Sequence, residues 1–123
     1  MYHPKEKILE LLEAGEGEGD FRSRTGHLGL GQSLPADAAV NVYFLLDLAP
    51  ILERFGSRGY RAAQLEASIT GGKLYLSAYA QGLGASGLTF FDDDVTEFFS
   101  PHAADMSVMF LVALGKTAKR IRK

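Results

Sequence analysis

The sequence contains no cysteine among its 123 residues. This absence excludes a disulfide framework, a thiolate zinc site and a cysteine nucleophile, and it fits a reducing compartment. The longest uninterrupted apolar runs are Val42–Leu46 and Val108–Leu114, and both fall far short of the roughly 20 residues that a membrane-spanning helix needs. The charged N-terminal segment 1–7 also lacks the apolar stretch of a signal peptide. Together these absences predict a soluble, cytoplasmic protein.

Several motifs of common catalytic and nucleotide-binding sites are missing too. Gly29 and Gly31 lack the third glycine and the preceding strand of a dinucleotide fingerprint, and no phosphate-binding GxxxxGK[ST] loop or serine nucleophile elbow occurs. Asp92–Asp94 are consecutive and would point in different directions on a helix, so they predict the start of a helix rather than a metal site. The histidines are scattered singly in predicted turns, which favours exposed positions over metal binding or base catalysis: His3, His27 and His102.

Charge is divided unevenly along the chain. The whole sequence has 13 Lys and Arg against 15 Asp and Glu, and its 46% apolar and 23% charged residues are typical of a globular domain. Five of the basic residues lie in the last eight positions, which leaves eight basic against fifteen acidic residues, a net charge of −7, on residues 1–115. That acidic body disfavours a nucleic-acid or anionic-membrane partner. The length predicts a single domain over 1–123, divided into a small N-terminal unit and loop (1–35), a core (36–115) and a basic tail (116–123).

The apolar pattern predicts strands that alternate with helices. Segment 38–46 is almost wholly apolar, which predicts a central strand that is covered on both faces. In segment 5–14 the apolar residues recur at helical spacing, although a strand remains possible there. The other predicted elements are strands at 85–91 and 106–114, the latter apolar enough to be central, and helices at 21–32, 47–55, 58–83 and 95–99.

The longest predicted helix, 58–83, has two distinct faces. Small residues at i, i+4 and i+8 leave one face nearly bare, so another backbone or a flat ligand could approach it closely: Ala63, Ala67 and Gly71. This spacing is compatible either with tight helix packing inside one subunit or with a dimer seam. The large apolar residues of the same helix are expected to face the core: Leu65, Ile69, Leu76 and Tyr79.

Five segments between Phe55 and Gly115 follow one another in an order that resembles a known family. They are Arg58-Gly59-Tyr60-Arg61 with Leu65-Glu66-Ala67, Leu74-Tyr75-Leu76-Ser77-Ala78, Gly82-Leu83-Gly84-Ala85-Ser86-Gly87, Phe91-Asp92-Asp93-Asp94 and Leu111-Val112-Ala113-Leu114-Gly115. The order is similar to the C-terminal half of the nitroreductase-like flavin oxidoreductases, and most similar to the SagB-type dehydrogenases, which include the azoline oxidases. Tyr2-His3-Pro4 and Ile8-Leu9-Glu10-Leu11-Leu12 resemble two short strands of that subfamily. The family's N-terminal flavin-phosphate motif is missing from this sequence.

The resemblance implies an α+β fold, truncated at the N-terminus, in which helices flank a mixed sheet and two copies form an intertwined homodimer. FMN would lie at the dimer interface, with the bare backbone of Gly87 beside its ring. Backbone N–H groups of the segment Leu88-Thr89-Phe90 would face the reactive edge of the ring. Basic residues after the last strand would bind the phosphate, with a solvated tail as the alternative: Lys116, Lys119 and Arg120.

The resemblance therefore implies an FMN-dependent oxidoreductase of the nitroreductase or SagB-type class, with NAD(P)H as electron donor and a small-molecule substrate of unknown identity. It assigns no catalytic residue and no metal. The alternative is a truncated, catalytically degenerate protein of the same fold that acts as a binding or dimerisation module. Arg54 and Phe55 stand where the azoline oxidases have a Lys-Tyr pair. Because Arg stays protonated and Phe has no hydroxyl, these two residues argue against azoline dehydrogenation.

Overall fold

A computed structural model of the chain describes residues 1–14 and 18–117, without the side chains of residues 18–20. Two short strands and two helices come first: β1 (Tyr2–His3), β2 (Ile8–Leu9), α1 (Glu18–Leu28) and α2 (Ser33–Asp37). The remaining elements are β3 (Val40–Leu46), α3 (Ala49–Phe55), α4 (Ser57–Ala80), β4 (Gly84–Leu88), α5 (Asp92–Phe98) and β5 (Ser107–Gly115). No helix in these described ranges combines the length and the apolar character needed to cross a membrane.

The main sheet has three strands in the order β3–β5–β4, and both of its pairings are antiparallel. The last strand is thus inserted between the two earlier ones. The prediction that segment 106–114 forms a central strand is confirmed, whereas the prediction of a central strand at 38–46 is wrong, because β3 lies at an edge. Its apolar character has another cause: helices cover both faces of the sheet, so an edge strand needs apolar side chains on both sides. The described strands contain no parallel pair, unlike the mixed sheet that the resemblance implies.

A β-bulge in the β3–β5 pair directs one extra side chain towards α4. Phe44 pairs with Phe110 and Leu45 pairs with Val108, so Met109 is left between them without a partner in the ladder. A bulge of this kind lets two successive residues of one strand oppose a single residue of the other. Met109 is buried together with two alanines of α4 as a result: Ala63 and Ala67.

Helices pack on both faces of the three-stranded sheet. On one face, Leu28 of α1 and Val95 of α5 form a buried cluster with Val108 of β5. On the other face, α4 packs through its small residues, and a Cβ atom added to Gly71 would lie only 2.5 Å from Cε1 of Phe110. The small-residue face of α4 therefore packs against the sheet inside the subunit. This is one of the two alternatives that the spacing predicted, the other being a dimer seam. The structure is an α+β fold with the core on both sides of β5.

The large apolar residues of α4 lie on its outward face, so the prediction that they face the core is wrong. Their exposed fractions are 62% for Leu65, 54% for Ile69, 70% for Leu76 and 57% for Tyr79. The physical reason is the bulk of the sheet: with Phe44 and Phe110 directed at the helix, only small side chains fit beneath it. We call the residues on the opposite side of α4 the outer stripe, which consists of Leu65, Ile69, Gly72, Leu76 and Tyr79.

The N-terminal segment forms a two-stranded hairpin instead of the helix that its periodicity suggests. Tyr2 pairs with Leu9 and His3 pairs with Ile8, which confirms the short strands implied by the resemblance. The Glu10 carboxylate lies 2.7 Å from Nε2 of His3 and 3.4 Å from Nε2 of His102, so it links the hairpin to the turn before β5. The hydrogen bond from His3 lowers the pKa of Glu10 below its usual value.

Tyr43 of β3 offers a test of the packing on the α1 and α5 side of the sheet. Its hydroxyl is buried without a hydrogen-bond partner in the described chain, and its ring packs on Phe99 at 5.3 Å between centroids. We expect Tyr43→Phe to raise the free energy of unfolding by about 1 kcal/mol, because it removes an unsatisfied buried group and keeps the ring. The matched control Tyr60→Phe removes an exposed hydroxyl and should change little. A lower stability for Tyr43→Phe in urea denaturation would contradict this view of the core.

The pH dependence of stability provides a second readout at the same residue. Burial raises the pKa of Tyr43 to about 12, whereas an unfolded tyrosine ionises near pH 10. Between these values the unfolded chain loses the proton and the folded chain keeps it, so stability should fall as the pH rises from about 10 to 12. Tyr43→Phe should reduce this alkaline loss in a series of thermal melts.

Candidate functional site

The free edge of β4 presents a short row of backbone donors. The N–H of Gly87 donates a hydrogen bond to the Tyr75 hydroxyl of α4, so it points away from β5, the strand on the other side of β4. Successive N–H groups of a strand alternate between its two edges, which directs the N–H of Thr89 towards the same free edge. We call this edge, with Gly87, Leu88, Thr89, Phe90 and the Tyr75 hydroxyl, the β4 edge.

Two backbone N–H groups of this edge have no acceptor among the described residues. They are the N–H groups of Thr89 and Phe90. The next residue is anchored, because the N–H of Phe91 donates to the Leu28 carbonyl of α1 at 2.9 Å. Phe90 itself is held by its side chain, which packs on the buried cluster around Val95. The segment is therefore fixed at both ends, while two backbone donors remain available to a ligand.

Gly87 is required by its neighbours and leaves its backbone exposed. A Cβ atom at this position would lie 3.1 Å from Cζ of Phe110 and 3.2 Å from the Tyr75 oxygen, which is tight packing for any side chain. Gly87 is nevertheless solvent-exposed, as is Thr89, whereas Leu88 is half-buried. The direction that a side chain of Gly87 would take is filled by the Phe110 ring and the Tyr75 hydroxyl, so packing within the chain accounts for this glycine, while its remaining backbone surface is exposed.

The predicted phosphate-binding residues are not brought together with this segment. Lys116 is exposed and follows Gly115, which pairs with Gly84 at the opposite end of β4 from Leu88. Four residue steps along a strand separate these ends by about 13 Å. Two members of the predicted set lie outside the described residues: Lys119 and Arg120.

Tyr75 is the residue of the site that the sequence did not single out. It lies within α4 with a half-buried side chain, and it reaches across to β4 through the bond from Gly87. Its ring also meets that of Tyr79 edge-on, with 6.1 Å between centroids. Because Tyr79 belongs to the outer stripe, the β4 edge and the outer stripe are neighbouring surfaces. Tyr75 lies between the small-residue face and the outer stripe of α4. Helical periodicity does not predict that its hydroxyl accepts a hydrogen bond from β4.

A concave surface lies between α1 and α5, on the face of the sheet opposite α4, and it does not include the β4 edge. It is an open cavity of about 640 Å³, and no residue predicted for ligand binding lines it. His27 Nε2 lies 3.0 Å from Asp94 Oδ2. Nη1 of Arg24 lies 3.6 Å from Oε1 of Glu13. The Arg24 guanidinium also lies 4.5 Å from the centre of the Phe98 ring. These charged side chains already engage one another. In the described ranges, no group of three or more His, Asp or Glu is placed to hold a metal ion.

Arg54 and Phe55 occur together at the end of α3, where both are exposed. The Arg54 guanidinium lies 5.1 Å from the centre of the Phe55 ring. The pair thus forms a local cation–π contact, and a guanidinium that stays protonated cannot act as a general base there.

Comparison with solved structures identifies a structurally similar protein. It is a protein from Anabaena variabilis that carries the provisional name nitroreductase, with 36% sequence identity over 80% of the present chain and a TM-score of 0.74. The chain covers 20% of that protein's length. No protein-family model matches the chain, and no curated protein matches it. The similarity to the Anabaena variabilis structure shows that the chain has a nitroreductase-like fold.

Proposed function

We propose that the chain is an FMN-dependent oxidoreductase of the nitroreductase-like class, that the order of its motifs places it with the SagB-type dehydrogenases, and that it acts on a small molecule. The observation that carries this proposal is the β4 edge. There, the exposed backbone of Gly87 is followed by the N–H groups of Thr89 and Phe90, from which no described residue accepts a hydrogen bond. The 36% identity to a protein named as a nitroreductase supports it.

The residues of the β4 edge fit the ring of FMN. A flavin ring is flat and carries acceptor nitrogen and oxygen atoms along its edge, so it needs an open backbone surface and hydrogen-bond donors. Gly87 offers the first, and the N–H groups of Thr89 and Phe90 offer the second. The flavin would supply the hydride chemistry, with NAD(P)H as the proposed electron donor. The phosphate is proposed to bind to the basic residues after β5, of which Lys116 is described.

The contribution of the chain to the reaction would be orientation and electrostatics. Backbone donors that are fixed before a ligand arrives stabilise negative charge without reorganisation. The segment from Leu88 to Phe90 meets this condition, because β4 holds one end and the Phe91 to Leu28 hydrogen bond holds the other. Donors at the ring edge would bind a reduced, more negative ring more tightly than an oxidised ring, and this favours electron transfer to the flavin.

The proposed active form is a homodimer in which the outer stripes of two α4 helices pack together. The stripe residues recur at intervals of four, three, four and three, which is the spacing of apolar positions in packed helix pairs. Gly72 lies at its centre, and no atom of the described residues lies within 4 Å of where its Cβ would be, so no contact with the described part of the chain requires a glycine there. A second helix that crosses closely at this point would require it. The β4 edge adjoins the stripe through Tyr75 and Tyr79, so the flavin would lie beside the seam.

A second candidate function is a dimerisation module of the same fold without catalysis. The exposed outer stripe favours it as much as it favours the enzyme, and the Arg54–Phe55 pair fits it. Oxidation of NADH or NADPH by the purified chain with added FMN separates the two candidates. The oxidoreductase predicts a rate well above that of free FMN, whereas the module predicts binding or dimerisation with no such increase.

The backbone donor at Thr89 can be tested by a matched pair of variants. Thr89→Pro removes the N–H and should weaken FMN binding about tenfold. This is roughly what one hydrogen bond to a charged or strongly polar group contributes to the binding constant. A proline is tolerated at this free edge because no described residue accepts a hydrogen bond from the Thr89 N–H, and the contact from Gln32 to the Thr89 hydroxyl is lost in both variants of the pair. Thr89→Ala keeps the N–H and loses only a long contact from Gln32, so it should bind FMN within about twofold of the parent protein. Quenching of FMN fluorescence measures both affinities, and equal affinities for the two variants would contradict the assignment.

A further inference from the structure

Tyr75 has an unused hydrogen-bond donor at the β4 edge. A tyrosine hydroxyl offers one proton and two lone pairs. The bond from the Gly87 N–H occupies a lone pair, so the proton of the hydroxyl remains to be donated. No described residue accepts it, because the bond from Gly87 is the one hydrogen bond of this hydroxyl in the described chain.

The orientation of this hydroxyl is set by its surroundings. The Gly87 N–H holds the oxygen at the free edge of β4, and the Tyr79 ring packs edge-on against the Tyr75 ring. Gly87 has no side chain to cover the hydroxyl, and its backbone is exposed. The N–H groups of Thr89 and Phe90, which follow Gly87 in the chain, also have no acceptor among the described residues. The Tyr75 hydroxyl and the Thr89 N–H are both directed to the free edge of β4.

We propose that Tyr75 is a cofactor-binding residue that donates a hydrogen bond from its hydroxyl to an acceptor atom on the ring edge of bound FMN. This inference rests on the proposed function and adds a residue to that site. The Gly87 N–H does not bind the ring directly. It fixes the Tyr75 oxygen so that the hydroxyl proton faces the ligand. A third donor at the ring edge stabilises the reduced ring more than the oxidised ring, so Tyr75 raises the reduction potential of the bound flavin.

A purely structural role makes a different prediction. If Tyr75 only joins α4 to β4, its removal lowers the stability of the protein without ligand and leaves the electronic properties of bound flavin unchanged. If Tyr75 donates to the ring, its removal changes the absorption spectrum and the potential of the flavin that remains bound. Tyr75→Phe keeps the ring and its contact with Tyr79, so it removes the hydroxyl alone. Tyr60→Phe is the control, because it removes the hydroxyl of an exposed tyrosine of the same helix that belongs to neither the β4 edge nor the outer stripe.

The experiment measures FMN affinity, the visible spectrum and reduction potential of bound FMN, and the thermal melting of the protein without ligand. We expect Tyr75→Phe to weaken FMN binding about threefold to tenfold, to shift the flavin spectrum and to make the potential more negative. Tyr60→Phe should bind FMN within about twofold of the parent protein and leave the flavin spectrum unchanged. A Tyr75→Phe protein whose bound flavin has the parent spectrum and potential would overturn the inference, even if it melts at a lower temperature. Failure of the parent protein to bind FMN would overturn the proposed function, and the Tyr75 inference with it.

Discussion

Replacing Gly71 by alanine is expected to lower the free energy of unfolding by about 1–3 kcal/mol, although alanine is the better helix former. The added methyl group would lie 2.5 Å from Cε1 and 2.9 Å from Cδ1 of the Phe110 ring. That ring is packed between α4 and β5 and meets Phe44 at 6.0 Å between centroids, so it cannot move away freely. Urea denaturation measures the change, since a small core substitution should alter the midpoint and leave the slope unaffected.

The neighbouring glycine of α4 is the matched control for this prediction. A Cβ atom added to Gly72 meets nothing within 4 Å, so Gly72→Ala should stabilise the monomer by about 1 kcal/mol through helix propensity alone. The comparison is made in dilute solution, where the monomer dominates. Equal effects of the two substitutions would show that α4 does not pack on the sheet through its small-residue face.

The second large effect concerns the outer stripe. We expect Leu76→Glu to convert the proposed dimer to a monomer, with a dimer dissociation constant about 100-fold higher or more, because each copy would then place an unpaired carboxylate in the apolar seam. Ser77→Glu adds the same charge one residue further along the helix, away from the stripe, and should leave the dimer intact. Sedimentation velocity over a range of protein concentrations measures both. A parent chain that stays monomeric at every concentration would refute the proposed seam, as would a Leu76→Glu variant that dimerises like the parent.

The absence of cysteine makes the geometry of the same seam testable. In a two-fold seam centred on Gly72, the two copies of this residue meet, and Leu65 of each copy lies near Tyr79 of the other. A pair of thiols introduced by Leu65→Cys and Tyr79→Cys in one chain should then form disulfides between the two copies under mild oxidation, and Gly72 stays unchanged at the crossing. The control pair Leu65→Cys and Ser77→Cys should not link the copies, because position 77 points away from the stripe.

Local sequence patterns predicted the elements of the fold better than their arrangement. The helix at 58–83 and the strand at 106–114 form as α4 and β5 because long apolar or periodic runs have few alternatives. The order of the strands was not predictable in the same way. Segment 38–46 is as apolar as a central strand, and only the insertion of β5 between β3 and β4 makes it an edge. The outward face of α4 was misassigned because periodicity shows that a helix has an apolar stripe but not which surface covers it.

The candidate site was predictable in part for similar reasons. Gly87 to Phe90 could be singled out through the ordered motifs, since they lie in one short segment of the chain. Tyr75 could not, because its contact with Gly87 joins residues 12 positions apart in sequence on two different elements. The hairpin at the N-terminus shows the same limit of local patterns. The apolar spacing of residues 5–14 favours a helix, but the segment forms strands because Tyr2 pairs with Leu9.

The most direct test of the central claim is gel filtration of the chain after incubation with FMN, with protein and flavin absorption recorded together. The account predicts that flavin elutes with the protein at the size of a dimer, at about one FMN per chain, and that its visible spectrum differs from that of free FMN. A colourless protein peak, with all of the FMN eluting at the position of the free cofactor, would contradict the account.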